Sequence, residues 1–343
     1  MTPFLSVCVP TYNNIARLQD LIYSFLSLPR EDIQLVVLDN SSTDGSSTLL
    51  NSISDYRFVY KINDVNMGAL YNMVNVFEYA SGTYVIYSTD ADFLNVSKVS
   101  DFISYLKSHT EIKCGFCNFN FSNFGVHKIF NKGYAAISAV AYKGRHPTGY
   151  FFQNKALQET RLKERFSNFE VVHLFPLEFA FAEIALSGNA LIYDNILFTP
   201  NNSSDVVKIK SRTTNGLTKL AFFTPTSRLK VAVSYIKHIY ILDLEVHYKS
   251  KLAAQVLLNG LFSSTFGYKT ILANNRLCIH YQMNKRHIGI FEILLIAFKF
   301  FCGIVRELSG LKFKFRFMIL IYIFVLFMFK SSRFLSTNLL CKL

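Results

Sequence analysis

The chain has no tryptophan among its 343 residues, only 7 prolines and 6 cysteines, and 23 acidic residues against 36 basic ones. The cysteines (Cys8, Cys114, Cys117, Cys278, Cys302, Cys341) are too scattered for a disulfide scaffold. Cys114 and Cys117 have the spacing of half a zinc site, but two further ligands at recognisable spacing are missing, so two cysteines on one strand is the simpler reading. Charge is also scarce, at 17% against 51% hydrophobic residues, which excludes disorder and leaves apolar surface for a large core. The start, MTPFLSVCVPTYNN, lacks the basic region and long apolar run of a signal peptide, and a reducing cytoplasm is the expectation. There is no internal repeat and no low-complexity tract.

What is present is a cycle. Residues 4–9 (FLSVCV) read as a buried strand, Pro10 to Asn14 break it, and residues 15–28 repeat apolar positions at helical spacing. The same order returns with strands at 33–38, 57–62 and 83–87, and with helices at 47–53, 69–79 and about 97–107. Strands alternating with helices through short loops predict an α/β fold with a mostly parallel, doubly wound sheet. Residues 115–142 alternate aromatic positions and predict a few antiparallel strands beside that sheet. A loop at 144–149, a short strand at 150–152 and a helix at 177–187 closed by Gly188 complete the unit. The alternation stops near residue 205 and long helical stretches follow, at 229–243 and 251–261. This predicts a catalytic domain over 1–204 and a helical region over 205–343.

Basic charge collects late. From Lys285 onward ten cations face only Glu292 and Glu307, a net +8 of the total +13. Two apolar stretches lie there, 288–305 and 317–329, and both fall short of the roughly 20 apolar residues of a membrane span. The second, with cations on both flanks, reads as an interfacial anchor on an anionic leaflet, with two core helices as the alternative. Nucleic acid is the less suitable partner, because these cations interleave with aliphatic residues and Phe over apolar helices.

In a doubly wound sheet, ligands bind beyond the carboxyl ends of the strands. Three polar clusters sit at such ends: Thr11 to Asn14, Asp39 to Asp44, and Asp90 to Asp92. Asp90-Ala91-Asp92 offers two carboxylates spaced to share one hard cation with substrate phosphates, as Mn²⁺ and Mg²⁺ prefer. Each of these is weak alone. Together SVCVPTYNN, VVLDNSSTDGS, NMGALYNMVNVFEYASGTYV and STDADF, in this order and at these intervals, resemble glycosyltransferase family 2, the inverting family with the GT-A fold. The resemblance is good over about residues 4 to 95 and weakens to about 195.

The resemblance implies that Pro10, Thr11 and Tyr12 lie against a nucleotide base and that Asp39 accepts hydrogen bonds from uracil or ribose. Asn66 and Gly68, with Asn72, match the family's Asn-x-Gly stretch near the donor. Asp90 would contact ribose or sugar, and Asp92 would ligate Mn²⁺ or Mg²⁺. The alternative readings are a strand end at Pro10-Thr11, a turn cap at Asp39 and a plain helix start at Gly68. Asp44 reads as a helix cap in either case. The family's Glu-Asp pair, whose Asp is the general base, falls here on Pro176 and Leu177, a departure. Glu178 and Glu183, on one helix, point about 140° apart, so both cannot face one site. Glu178 is the choice for base, with complementation of the helix dipole as its alternative role; His173 and Asp194 remain. His146 to Gly149 reads as the acceptor side. The Gln-x-x-Arg-Trp element of processive synthases is absent with tryptophan itself, which points to single-sugar transfer. The whole implies a nucleotide-sugar donor, UDP-linked, and a lipid-linked glycan acceptor at the cytoplasmic membrane face, with a polyprenyl-phosphate transferase or an inactive glycan-binding relative as alternatives.

Overall fold

The computed structural model describes residues 2–117, 127–166, 175–200, 224–280 and 283–323. The chain divides into two compact units, Met1–Asn215 and Gly216–Leu343; the expected boundary near 205 lies outside the described residues.

The first unit opens with β1 (Leu5–Thr11), α1 (Ile15–Leu26), β2 (Ile33–Asp39), α2 (Ser46–Ser52), β3 (Phe58–Ile62), α3 (Ala69–Asn75), β4 (Tyr84–Tyr87), β5 (Asp92–Leu94) and α4 (Val96–Ser108). It continues with β6 (Ile112–Cys117), β7 (Lys128–Phe130), α5 (Tyr134–Val140), β8 (Tyr150–Gln153), α6 (Asn154–Glu159), α7 (Leu162–Phe166), α8 (Pro176–Ser187), β9 (Asn189–Tyr193) and β10 (Phe198–Pro200). Eight strands form one sheet in the order β3-β2-β1-β4-β8-β6-β9-β7, and β10 pairs with β5 in a small second sheet. β3, β2, β1 and β4 run parallel, as do β6 and β9. β8 is antiparallel to both its neighbours, and β7 to β9.

β2 is buried at all seven positions and β1 at six, which is why both read as unbroken apolar runs: a parallel strand covered on both faces has no polar side to alternate with. The order of chain progression reverses between β1 and β4. The crevice expected at such a switch point lies beyond Thr11 and Tyr87. α8 is apolar nearly all round and buried from Pro176 to Ala182, the pattern of a helix enclosed by its surroundings; α5 packs on it.

One expectation is corrected. Residues 134–140, read as part of an aromatic antiparallel set, form α5, whose Ala136, Ile137 and Val140 are buried at helical spacing. Gly133, with φ +87°, starts it. Only β6 and β7 of that region are strands among the described residues. Cys114 and Cys117 lie buried and unbonded to each other on β6, and burial pushes both thiols up, which suits structural cysteines.

The second unit is helical among its described residues: α9 (Pro225–Ile241), α10 (Val246–Phe262), α11 (Tyr268–Ala273), α12 (Asn275–His280) and α13 (Ile290–Glu307). Thr224 caps α9, its Oγ1 accepting from the Ser227 N–H, with proline in the first turn. α13 lies close on α9, since a Cβ on Gly303 would stand 2.4 Å from Leu229. No helix of the described residues is long and apolar enough to cross a membrane.

Candidate active site

Most candidate residues of the first unit lie at or just beyond the carboxyl ends of β1, β2 and β4, where several hydrogen-bonded groups meet. Register places Thr11 opposite Asp39. The Asp39 side chain is fully buried and serves its own loop, accepting from the Ser42 N–H (3.2 Å), the Ser42 hydroxyl and the Ser47 hydroxyl (3.2 Å). The loops after β1 and β2 are tied together: Asn13 N–H donates to Ser42 Oγ at 2.8 Å and Thr43 N–H to Asn13 Oδ1 at 2.7 Å. Asp44 caps two elements, accepting from Ile15 N–H (2.8 Å) and from the Ser46 N–H and hydroxyl. Burial raises its pKa, but those bonds outweigh it and hold the carboxyl below its ordinary value.

Four asparagines bind this floor to the start of α3. Asn40 Nδ2 donates to Asn66 Oδ1 (2.7 Å), which also accepts from Gly68 N–H (2.9 Å). Asn63 Nδ2 bridges Asn40 Oδ1 and Asn72 Oδ1, both at 3.1 Å. Asn72 Nδ2 donates to the Leu38 carbonyl (2.8 Å) and the Thr11 carbonyl (3.2 Å), tying the ends of β2 and β1 together. Gly68, with φ +90°, makes the turn into α3 that a side chain would strain. Asn40 and Asn63 were not singled out from sequence. Their partners lie 9 to 27 residues away, and an asparagine in a loop carries no mark of that.

Asp90 and Asp92 follow β4 and are buried, 6% and 4% exposed. Buried carboxylates are costly unless hydrogen-bonded. Thr11 Oγ1 donates to Asp90 Oδ2 at 2.8 Å, joining the ends of β1 and β4. Asp92 Oδ2 accepts two hydroxyls, Thr89 at 2.5 Å and Thr148 at 2.6 Å. Among the described residues Asp92 Oδ1 accepts no hydrogen bond. A hard divalent cation takes one or two carboxylates and fills its shell with phosphate and water oxygens. This donor set fits one. No group of three or more His, Cys, Asp or Glu comes together among the described residues, so a cation here would rely on the substrate's oxygens.

Thr148 makes the 144–149 loop the far wall. Gly149, with φ +97°, lets the loop pass so close to β6 that a Cβ would stand 2.6 Å from the Cys117 carbonyl. His146 is held below its ordinary pKa, desolvation outweighing the opposing charge of Asp92. The same loop is fastened to α8 by Glu178, 1% exposed, whose Oε1 accepts from Arg145 N–H (2.9 Å) and from the Tyr150 hydroxyl (3.0 Å). Glu183 faces another way, in a two-bond pair with Arg165 at 2.7 Å. Asp194 ends β9, its N–H donating to His127 Nδ1 (3.0 Å). His173 lies outside the described residues. Pro10 stands within β1 and Tyr12 just beyond it, half-buried.

Residues 6–159 match the model of Glycosyl transferase family 2. Among curated proteins, the abequosyltransferase RfbV of Salmonella typhimurium is 32% identical over 114 residues, 32% of this chain and 34% of its own length. The UDP-Glc:α-D-GlcNAc-diphosphoundecaprenol β-1,3-glucosyltransferase WfaP of Escherichia coli is 25% identical over 126 residues, 37% of this chain and 48% of its own. The GalNAc(5)-diNAcBac-PP-undecaprenol β-1,3-glucosyltransferase of Campylobacter jejuni is 32% identical over 95 residues, 27% of this chain and 31% of its own. The matches thus span a third to a half of these relatives. Among solved structures, S. aureus TarS 1–349 superposes with a TM-score of 0.56 at 15% identity, covering 93% of this chain and 89% of that one. The mannosyltransferase PcManGT from Pyrobaculum calidifontis, in complex with GDP-Man and Mn²⁺, gives 0.51 at 14%, covering 94% and 86%. At such identities the likeness shows the fold, which is of the GT-A type. With its ordered motifs matching the family model over residues 6–159 and its sheet built as in the solved transferases, the first unit carries a glycosyl transferase family 2 match on a GT-A-type fold.

Proposed function

We propose that the chain is an inverting glycosyltransferase. It would move a single sugar from a nucleoside diphosphate sugar, UDP-linked, to a hydroxyl of a lipid-linked glycan in polysaccharide or O-antigen assembly, at the cytoplasmic membrane face. The observation that carries this reading is that hydrogen bonds join the strand ends, through Asn72 and Thr11 to Asp90, and that Asp92 two residues on is bonded to Thr148. They gather at the switch point of the sheet, beside the loop that Glu178 fastens to α8. The relatives named above that act on diphosphoundecaprenol-linked saccharides support the acceptor class, and a TarS structure with UDP-GlcNAc supports the donor class.

In this reading Pro10, Thr11 and Tyr12 pack against the base. An ionised carboxylate has about four acceptor sites, and the Asp39 loop takes three, leaving one for uracil or ribose. Asn66 and Gly68 let backbone approach the donor. Asp90 meets ribose or sugar, and Asp90 with Asp92 would hold Mn²⁺ or Mg²⁺. When bound, that ion supplies charge neutralisation to the departing diphosphate. Glu178 takes the proton of the acceptor hydroxyl as it attacks from the face opposite the diphosphate. Its burial and its two hydrogen bonds favour a second role, holding the 145–150 segment in place. Glu178→Gln separates the two, because an amide oxygen still accepts from Arg145 and Tyr150 but takes no proton. Loss of transfer by about 10²–10⁴-fold, with nucleotide binding kept, marks the base. Near-normal transfer marks positioning alone.

The product tests the whole reading. An extended diphospho-linked oligosaccharide with inverted anomeric configuration is the expected result. A polyprenyl monophosphate sugar would instead identify the polyprenyl-phosphate alternative, and no product with any donor would identify an inactive relative.

A further inference from the structure

The outward side of α13 is apolar. Its inward side is made by Ile293, Phe300, Gly303 and Ile304. On the opposite side Phe291, Leu294, Leu295, Phe298, Phe301 and Val305 are all exposed, Phe291 to 85% and Phe298 to 66%. At 100° per residue these six fall within an arc of about 120°. Lys299 and Arg306 sit on one border of that arc, roughly 20–40° beyond Leu295. A helix apolar on two opposite sides belongs between protein and protein or between protein and lipid, and among the described residues α13 is covered on one of them. The following helical stretch, 313–323, repeats the arrangement: Phe315 and Ile319 are buried, while Phe313, Phe317 and Leu320 are exposed.

The nearby charges select the occupant. Glu292 is paired with Arg286 at 2.6 Å, and Glu307 with Arg306 at 3.5 Å and Lys237 at 3.7 Å. Among the described residues this leaves Lys299, Lys312 and Lys314 without a carboxylate partner. A second copy docking through the same arc would set Lys299 against its own counterpart with no carboxylate on the arc to answer it. An anionic bilayer answers both features, taking the apolar arc among its acyl chains and the cations at its headgroups.

We propose that α13 lies in the plane of an anionic membrane surface with the Phe291–Val305 arc immersed. This deepens the proposed function and rests on it only for the purpose of docking, which is to meet a membrane-borne acceptor. It adds the earlier helix to the 317–329 stretch favoured by sequence, of which 324–329 lie outside the described residues.

The test is vesicle flotation of the full chain, using phosphatidylcholine alone or with about 30% phosphatidylglycerol. Leu295→Glu combined with Phe298→Glu is compared, with Phe298→Ser as a milder variant should the double one fail to fold. The UDP and Mn²⁺ thermal response of each sample is read in parallel, so that loss of the donor site and loss of docking are seen separately. The wild type floats with anionic vesicles, less so in about 0.5 M salt, and the double variant loses about tenfold or more of that partitioning with its nucleotide response unchanged. Undiminished flotation of the variants, equal binding of the wild type to neutral vesicles, or a wild-type dimer that the variants dissolve without any vesicle binding would each overturn the proposal.

Discussion

At the residue scale, Thr148 shows how an unremarkable hydroxyl serves a carboxylate 56 positions away. Thr148→Val keeps the volume and removes one of two donors to the buried Asp92 Oδ2. Expected are a loss of about 1–2 kcal/mol in stability and weaker metal-dependent nucleotide binding, measured by denaturant unfolding and calorimetry. Asp32 gives a pH prediction. Hydrogen bonding from Arg30, opposed by burial and aided by Lys107, lowers its pKa from 3.8 to about 2. The native state therefore binds this proton more weakly than the unfolded chain. The stabilisation is complete above about pH 4 and is lost as pH falls toward 2. Asp32→Asn should cost about 1–2 kcal/mol at neutral pH, discounted for its partly exposed partners, and should flatten the stability slope between pH 4 and 2. An unchanged slope would assign the acid limb to other carboxylates. The site itself was legible in sequence only where residues cluster: the three strand-end groups stand out because polar runs interrupt apolar ones. Thr148 on Asp92, and Asn40 with Asn63, were not legible, because their partners are set by sheet order and not by spacing.

At the element scale, Arg57 does for α1 what no residue within the helix does. Its guanidinium donates to the carbonyls of Leu28 (2.6 Å), Arg30 (2.8 Å) and Leu26 (3.3 Å) while paired with Asp55 at 2.7 Å, closing the helix end that would otherwise leave carbonyls unmet. Arg57→Lys supplies a point charge in place of a fork and should cost about 1–3 kcal/mol by denaturant unfolding; a neutral result would mean that water replaces it. Gly149→Ala meets both a positive φ and the Cys117 carbonyl, so a loss of about 2 kcal/mol or more is expected, with the 144–149 loop displaced from Asp92. β1, β2 and β4 were readable because strands buried on both faces are unbroken apolar runs. α5 was not: it follows an aromatic, alternating run, its own alanines mark neither period strongly, and packing on α8 decided between them. The antiparallel insertion of β8 between β4 and β6 was equally hidden, since pairing partners far apart in sequence leave no local signal.

At the scale of the whole molecule, each unit has its own chemistry. The first carries the carboxylates and asparagines of a nucleotide-sugar crevice; the second carries cations and an exposed apolar arc. The late concentration of basic charge was plain in composition, but which helix presents it with apolar surface became visible only once one side of α13 was covered. The central claim, that Asp90 and Asp92 form a metal-dependent donor site, is tested most directly by thermal unfolding with UDP, GDP, CDP or dTDP, with and without Mn²⁺, in the wild type and in Asp92→Asn. At about a hundred times its dissociation constant a ligand adds about 2.7 kcal/mol of stability. The account predicts Mn²⁺-dependent stabilisation by UDP that Asp92→Asn abolishes. Stabilisation that ignores Mn²⁺ or survives the substitution, or none with any nucleotide, would contradict it.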